Sequence, residues 1–279
     1  VTITFWHTYG DSEEAQFLNV VMPLWESLHP EIRVEAVRQD SSQYHQMIVI
    51  SFGTGMSPDV ARVDIANIAA YAKQGGLAAL SDYPDFAELS ASYLDAPLST
   101  NLYQGKYYGL PLDTNCKAAV VNTNVLKELG LDEIPATLEE FYEDSLSKGI
   151  TAATIPTYEG RSASVVGGED IAVFATSAHP EAAYEFAKFM TSEDVQLAML
   201  EAGQLPILKS LISSEAVQSN PVWSVYMQQM ESAKARIPSP NNSAIQEIWS
   251  ETVTSIFVDG ADVAQALHDA AARIDEQLS

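Results

Sequence analysis

The 279-residue chain is 47% hydrophobic, enough for a substantial core and for more than one compact unit, and no apolar run is long enough to cross a bilayer. Its 38 Asp and Glu against 14 Lys and Arg give a formal net charge of -24, the wrong field for a nucleic-acid partner but no obstacle to a neutral ligand. The single cysteine, Cys116, excludes an intrachain disulfide and a multi-cysteine zinc site.

Residues 2–6 alternate polar and apolar, as a half-buried strand does. Val1 already belongs to this pattern, so any secretory leader is expected to have been removed. Gly10, Asp11 and Ser12 offer turn and N-cap chemistry, and Ala15, Leu18, Val21, Met22 and Trp25 then recur at helical spacing. After Pro30, EIRVEAVRQ reads as a second strand. Residues 44–52 read as a second helix, ended by the glycines of FGTGMSPD. PDVARVDI is a third strand, and ANIAAYAKQGG a third helix closed at Gly75. Alternating strands and helices predict a parallel α/β unit.

GKYYGLPL predicts a short extended piece with a turn, residues 117–121 a β-prone run, and residues 122–130 a helix. A further helix starts at Thr137, with Glu140 at capping-box spacing. TAATIPTYEG reads as extended, and SASVVGGEDIAVF as an apolar run interrupted by Gly167 and Gly168. HPEAAYEFAKFMTSEDVQLAMLEAG is an amphipathic helical stretch broken near Thr191, and from Asn220 on helices flank the loop IPSPNNS.

Open α/β sheets bind ligands beyond the carboxyl ends of their strands, and polar residues collect there. His7, Thr8 and Tyr9 follow the first strand; Asp40, Ser41, Gln43 and Tyr44 the second. Asp64 ends the third, and Asp113, Thr114 and Asn115 follow LPL. Carboxylates and amides that bind hydroxyls, beside rings that cover C–H faces, make the mixture a sugar needs. Taken singly, each acid is also explained as a helix cap and each ring as core edge; the run over four successive strand ends favours a site.

Other chemistries have weaker support. The histidines His7, His29, His45, His179 and His268 lack metal-ligand spacing, and no GxSxG is present. VVGGED lacks the GK[ST] of a phosphate loop, and Glu169 and Asp170, read as a helix start, would repel phosphate. No acid pair of defined spacing marks a glycoside hydrolase. Neither a cofactor, a metal nor a catalytic residue is expected.

TFWHTYG, PDVARVDIANIAAYAKQGGLAAL, GKYYGLPLDTNCKAAVVNTNVLKELGL, SASVVGGEDIAVFATSAHPEAAYEFAKFMTSEDVQLAMLEAGQLPILKS and AIQEIWSETVTSIFVDGADVAQALHDAAARIDEQL occur in this order. Together they resemble the extracellular solute-binding proteins of ABC importers, in the carbohydrate-binding group that includes maltose-binding protein. The resemblance implies an α/β, two-lobed periplasmic-binding-protein-like fold with discontinuous lobes and a hinge. Lobe 1 would comprise residues 1–112 and 168–211, and lobe 2 residues 113–167 and 212–279. The first crossing would lie at residues 112–115, the return near Gly167, and the second exit after Leu211.

The same resemblance implies His7, Tyr9, Gln43, Tyr44 and Asp64 as ligand groups of the first lobe and Asp113 and Asn115 at the hinge. Gly168 and Glu169 would border the cleft, with Arg236, Asn241 and Trp249 supplied by the second lobe. It further implies an oligosaccharide ligand, an ABC permease partner and no enzymatic activity. The setting would be extracellular, as a cell-surface lipoprotein or in the periplasm, with membrane contact only through a lipid anchor. Rival readings are a cationic or other non-sugar solute in the same fold, and a polysaccharide-active hydrolase.

One departure is large. Roughly a hundred residues that build most of the second lobe in such proteins are absent near residues 144–151, an amount comparable to a small domain. The second lobe is therefore expected to be incomplete in this sequence, either because it is truncated or because a segment is omitted.

Overall fold

The computed structural model describes residues 1–117 and 164–278, with Ile155, Thr157 and Ser162 between them. The expected helices at 122–130 and from Thr137 lie outside the described residues, as do most of the extended pieces at 117–121 and TAATIPTYEG and the seam near 144–151.

The strands in chain order are β1 (Thr2–His7), β2 (Arg33–Arg38), β3 (Val60–Asp64), β4 (Leu102–Tyr103), β5 (Lys106–Tyr107), β6 (Leu110–Cys116), β7 (Ser164–Val173) and β8 (Ala233–Lys234). The main sheet runs β2-β1-β3-β7-β6, with β8 paired to β7; β4 and β5 form a separate hairpin. β1 pairs in parallel with β2 and β3, as the strand–helix alternation requires, whereas β7 runs antiparallel to both β3 and β6.

Period-two alternation sends Ile3 and Phe5 of β1 to one face, where they pack with Phe17, Val21 and Trp25 of the first helical stretch. That stretch covers residues 11–28 and passes through a π-helical segment, Phe17–Val21. Trp25, fully buried, donates its indole N–H to the Ile32 carbonyl at 3.0 Å and meets the Phe186 ring edge-on at 5.1 Å. Burying a side chain of this size contributes about 1.5–3 kcal/mol, so this aromatic layer anchors the sheet. On the opposite face, Tyr44 and Ile48 of the helix Tyr44–Thr54 and Ile68 and Tyr71 of Ile68–Lys73 pack on Ala61, Val63 and Ala172. The sheet is thus covered by helices on both sides.

The long amphipathic stretch forms two helices, Pro180–Met190 and Glu193–Leu200, and the break falls at Thr191 as expected. Buried Gln196 then locks the sheet to the chain that follows. Its amide donates to the Leu112 carbonyl at 2.8 Å, and its Oε1 accepts the Ile207 N–H at 2.9 Å. Helices Pro221–Met230, Asn242–Phe257 and Val263–Leu278 complete the described chain.

β6 and β7 form the ribbon that carries the sheet beyond its parallel part. The second half of β7 pairs with β3, while its first residues, Ser164 and Val165, pair with β8. A register shift between Pro111 and Asp113 bends β6 at the point where the ribbon leaves the sheet. Gly168 lies opposite Thr114 with φ +130°, and a Cβ there would strike the Asp113 carbonyl. VVGGED is therefore strand, which corrects the reading of Glu169 and Asp170 as a helix start: the glycines permit close approach of two backbones. Asp170 is fully buried, accepts from Asn101 Nδ2 at 2.8 Å and from Thr100 Oγ1 at 3.1 Å, and burial raises its pKa well above the usual carboxylate range.

Replacing Gly168 with alanine should cost about 1–3 kcal/mol, from the left-handed backbone and the collision with Asp113. Chemical denaturation of the Gly168→Ala variant should show this loss, and unchanged stability would mean that the ribbon relaxes freely at this point.

Candidate functional site

The antiparallel register of β7 places Glu169 opposite both Asp64 of β3 and Asp113 of β6. Arg62 lies two residues before Asp64 and so shares its face, diagonal to Glu169. The guanidinium is the meeting point of these strand ends. Its Nη2 stands 2.8 Å from Glu169 Oε2 and 3.2 Å from Asp113 Oδ2. Its Nη1 donates to Thr8 Oγ1 at 3.0 Å, and its charge lies 5.1 Å from the centre of the Tyr9 ring. The Arg62 and Asp113 side chains are only 8% and 7% exposed, whereas Glu169 keeps 27%.

A cavity of about 260 Å³ opens beside this cluster, lined by Thr8, Ser41 and Tyr44 on one side and Arg62, Asp64 and Glu169 on the other. His45, Asn67 and Tyr71 add further polar groups, and Ile48 and Val63 complete its wall. His45 Nδ1 and the Tyr71 hydroxyl are 2.7 Å apart with their rings stacked, and burial followed by the charge of Asp64 raises the Tyr71 pKa, which keeps the phenol neutral. The Tyr44 hydroxyl donates to the Trp6 carbonyl at 3.0 Å. Asp64 is exposed; its Oδ1 accepts the Ala66 N–H at 2.7 Å, so one oxygen shapes the turn. Burial, then the neighbouring Asp113, pushes Glu169 up to about 9 despite its ion pair, because one guanidinium charge is shared between two carboxyl groups.

Among the expected first-lobe residues, Tyr44 and Asp64 line the cavity together with Glu169. His7 and Tyr9 do not. They are 1% and 0% exposed, packed with Phe5 and Phe17, so they form the core behind the wall rather than its surface. His7 stays neutral, its pKa lowered to about 4 mainly by burial, and its Nδ1 accepts the Tyr9 N–H at 3.4 Å. Gln43 is exposed at the N-cap of the helix Tyr44–Thr54 and lies outside the cavity wall. Asp113 is buried and engaged by Arg62, and Gly168 is buried in the ribbon, so neither opens onto the cavity. Asn115 is exposed on β6, with its amide against Gly167.

Arg236 and Trp249 come together elsewhere. Both line a groove of about 620 Å³ with Ile237, Ile245 and Ile274, where the Trp249 side chain is half exposed. Asn241 lies near it, but its amide donates to the Gln277 carbonyl at 2.9 Å and thereby ties down the last helix. A small crevice beside this groove is lined by Ile65, Ala66 and Thr100 on one side and by Arg236, Ile237 and Asn242 on the other. The turn that follows Asp64 thus abuts the segment that carries Arg236. Arg62, His45 and Tyr71 were not among the expected site residues. For Arg62 a signal existed: a lone basic residue inside an apolar strand, on the same face as the strand-end acid.

A model of the bacterial extracellular solute-binding proteins matches residues 9–151, and a second model of the same description matches residues 145–223. The chain belongs to this family. The diacetylchitobiose-binding protein DasA of Streptomyces coelicolor is 26% identical over 157 residues, 56% of this chain. The match covers only 36% of that relative's length. The cyclic α-maltosyl-1,6-maltose-binding protein of Arthrobacter globiformis has a similar structure, with a TM-score of 0.89, 18% identity, and coverage of 100% of this chain and 99% of that one. The sugar-binding protein MalE of Xanthomonas citri gives a TM-score of 0.85 at 16% identity, covering 100% and 97% of the two chains. The fold is accordingly the two-lobed fold of maltose-binding-protein-like solute-binding proteins. Among the described residues no helix is long and apolar enough to cross a membrane.

The raised Glu169 pKa sets a pH dependence. Folding favours the protonated form, so this contribution to stability is fully present below the ordinary value of 4.5 and is lost as pH rises towards about 9. Glu169→Gln, permanently neutral, should flatten the fall in melting temperature across that window, with the slope from Asp170 remaining. An unchanged pH profile for the variant would show that Glu169 is ionised in the fold.

Proposed function

We propose that the chain binds an oligosaccharide between its two lobes and delivers it to the permease of an ABC importer, without turning it over. The observation that carries this reading is the cavity at the strand ends. Carboxyl and hydroxyl groups of Asp64, Glu169, Ser41 and Thr8 stand there beside the rings of Tyr44 and Tyr71. Such a mixture satisfies a sugar's hydroxyls and covers its apolar C–H faces, whereas a basic cleft for an oxyanion would need free cations. Arg62, the cation in this wall, is engaged by Asp113 and Glu169.

The groove of Arg236 and Trp249 supplies the second wall. Its exposed indole offers a stacking platform, and the crevice at Ile65 and Ala66 brings it next to the turn after Asp64. A cavity of about 260 Å³ beside a groove of about 620 Å³ suits a ligand of more than one sugar ring better than a single small solute. DasA binds diacetylchitobiose, and the Arthrobacter protein binds a cyclic maltosyl-maltose, which supports the same ligand class here. The boundaries that fit this reading are residues 1–112 and 168–211 for the first lobe and 113–167 and 212–279 for the second, hinged where β6 and β7 cross. Closure about that ribbon would remove the ligand from water. Asp64 and the chain's net charge of -24 favour one alternative, a cationic solute in the same cleft.

Thermal-shift screening against maltotetraose, diacetylchitobiose, related oligosaccharides and spermidine separates these ligands. A sugar at ~100 Kd should add about 2.7 kcal/mol. Stabilisation by spermidine alone would replace the sugar reading with the cationic one. Hours of incubation with the bound sugar should release no new reducing ends, and steady release abolished by a single carboxyl substitution would make the protein a glycosidase.

A further inference from the structure

Arg62 has no part in the sugar reading as the strand ends alone would frame it, yet it holds two groups of the wall, Thr8 and Glu169, and ties them to Asp113. Its neighbours come from four places: Thr8 and Tyr9 after β1, Asp113 from β6, Glu169 from β7, and Glu13 from the first helical stretch, whose charge also reaches it. Asp64, on its own strand, stands opposite Glu169. Two carboxyl groups thus contact one cation, with Glu13 acting on it from farther away. An arginine serves this role where a lysine cannot, because its planar fork directs separate N–H groups to Thr8 and to the carboxyls while a ring lies against the cation.

We propose, building on the sugar-binding reading, that Arg62 is the positioning and specificity-determining residue of the cleft. It fixes Glu169 at the cavity and Asp113 at the bend of β6, and it supplies a positive charge beside these carboxyl groups so that the site takes an uncharged polyhydroxylated ligand and rejects a cation. Glu169 Oε2 is held at 2.8 Å while a quarter of its side chain faces the opening, so the carboxyl is aimed and not free to swing. Asp113 is held at 3.2 Å beside the register shift where the ribbon departs. Ligand wall and crossing ribbon thus share a single ion-pair node. Without the guanidinium, the carboxyl groups of Asp64, Asp113 and Glu169 would stand together with no cation beside them, an arrangement suited to an ammonium ligand.

The test compares wild type, Arg62→Met and Arg62→Lys by two readouts. In the ligand-free proteins, ¹³C-carboxyl NMR follows the titration of Glu169, which needs no sugar to be known. Loss of the guanidinium should shift that titration upward by at least about one pH unit. The Arg62→Lys variant should fall between wild type and Arg62→Met, and it also serves if Arg62→Met fails to fold. In the second readout, spermidine binding should strengthen about tenfold or more in Arg62→Met, while affinity for whichever oligosaccharide binds the wild type drops by a similar factor. Identical Glu169 titration in all three proteins, or no gain in spermidine affinity, would overturn the proposal. A wild type that binds no sugar but shows the Glu169 shift would retain the positioning role and dismiss the sugar reading instead.

Discussion

A guanidinium removed from water needs charge partners and hydrogen bonds, and the strand ends of this protein supply them to both terminal nitrogens of Arg62, while its buried Nε has no hydrogen-bond partner. Burying a charge in a protein interior carries a penalty of several kcal/mol, recovered only through close charge partners and hydrogen bonds. Arg62 finds them on segments far apart in the chain: Thr8 just after the first strand, Asp113 from the ribbon's outgoing strand and Glu169 from its returning strand. These contacts tie the strand ends to one another, and the cavity is what they leave open.

Apolar packing supplies the rigidity on which this node depends. Phe5, Phe17 and Trp25 fill one face of the sheet and Ile48, Ile68 and Tyr71 the other, so β1 and β3 cannot shift independently. The crossing ribbon is held differently. Its close backbone approach at Gly168, the Gln196 amide between Leu112 and Ile207, and the buried Asp170 with Asn101 and Thr100 are polar or steric constraints. A ribbon secured by directional bonds and bent by a register shift can act as a hinge, while the packed sheet beside it stays fixed.

Much of this was legible in the sequence. The first three strands and their helices follow from alternation, helical spacing and glycine stops, and the break at Thr191 follows from the change of pattern. The same alternation, carried three residues further, places His7 and Tyr9 inward with Ile3 and Phe5; their polarity and ring chemistry argue for a surface role that burial overrides. Strand propensity describes the run around Arg62 and not its one charged member, so the run alone does not mark Arg62 as a site residue. In VVGGED the paired glycines break the local strand pattern, and only the partner strand shows why they are needed. The meeting of Arg236 with Trp249 depends on the packing of segments that local sequence does not encode.

The central claim is that the strand-end cavity and the Arg236–Trp249 groove are two walls of one ligand site. Hydrogen exchange with and without a stabilising oligosaccharide tests it most directly, because local opening reports each backbone segment separately. Ligand should slow exchange together at the turn after β1, at the turn after Asp64, and around Arg236 and Trp249, with a change along the β6–β7 ribbon between them. Protection confined to one of the two walls, or located in a part of the molecule that touches neither, would contradict it.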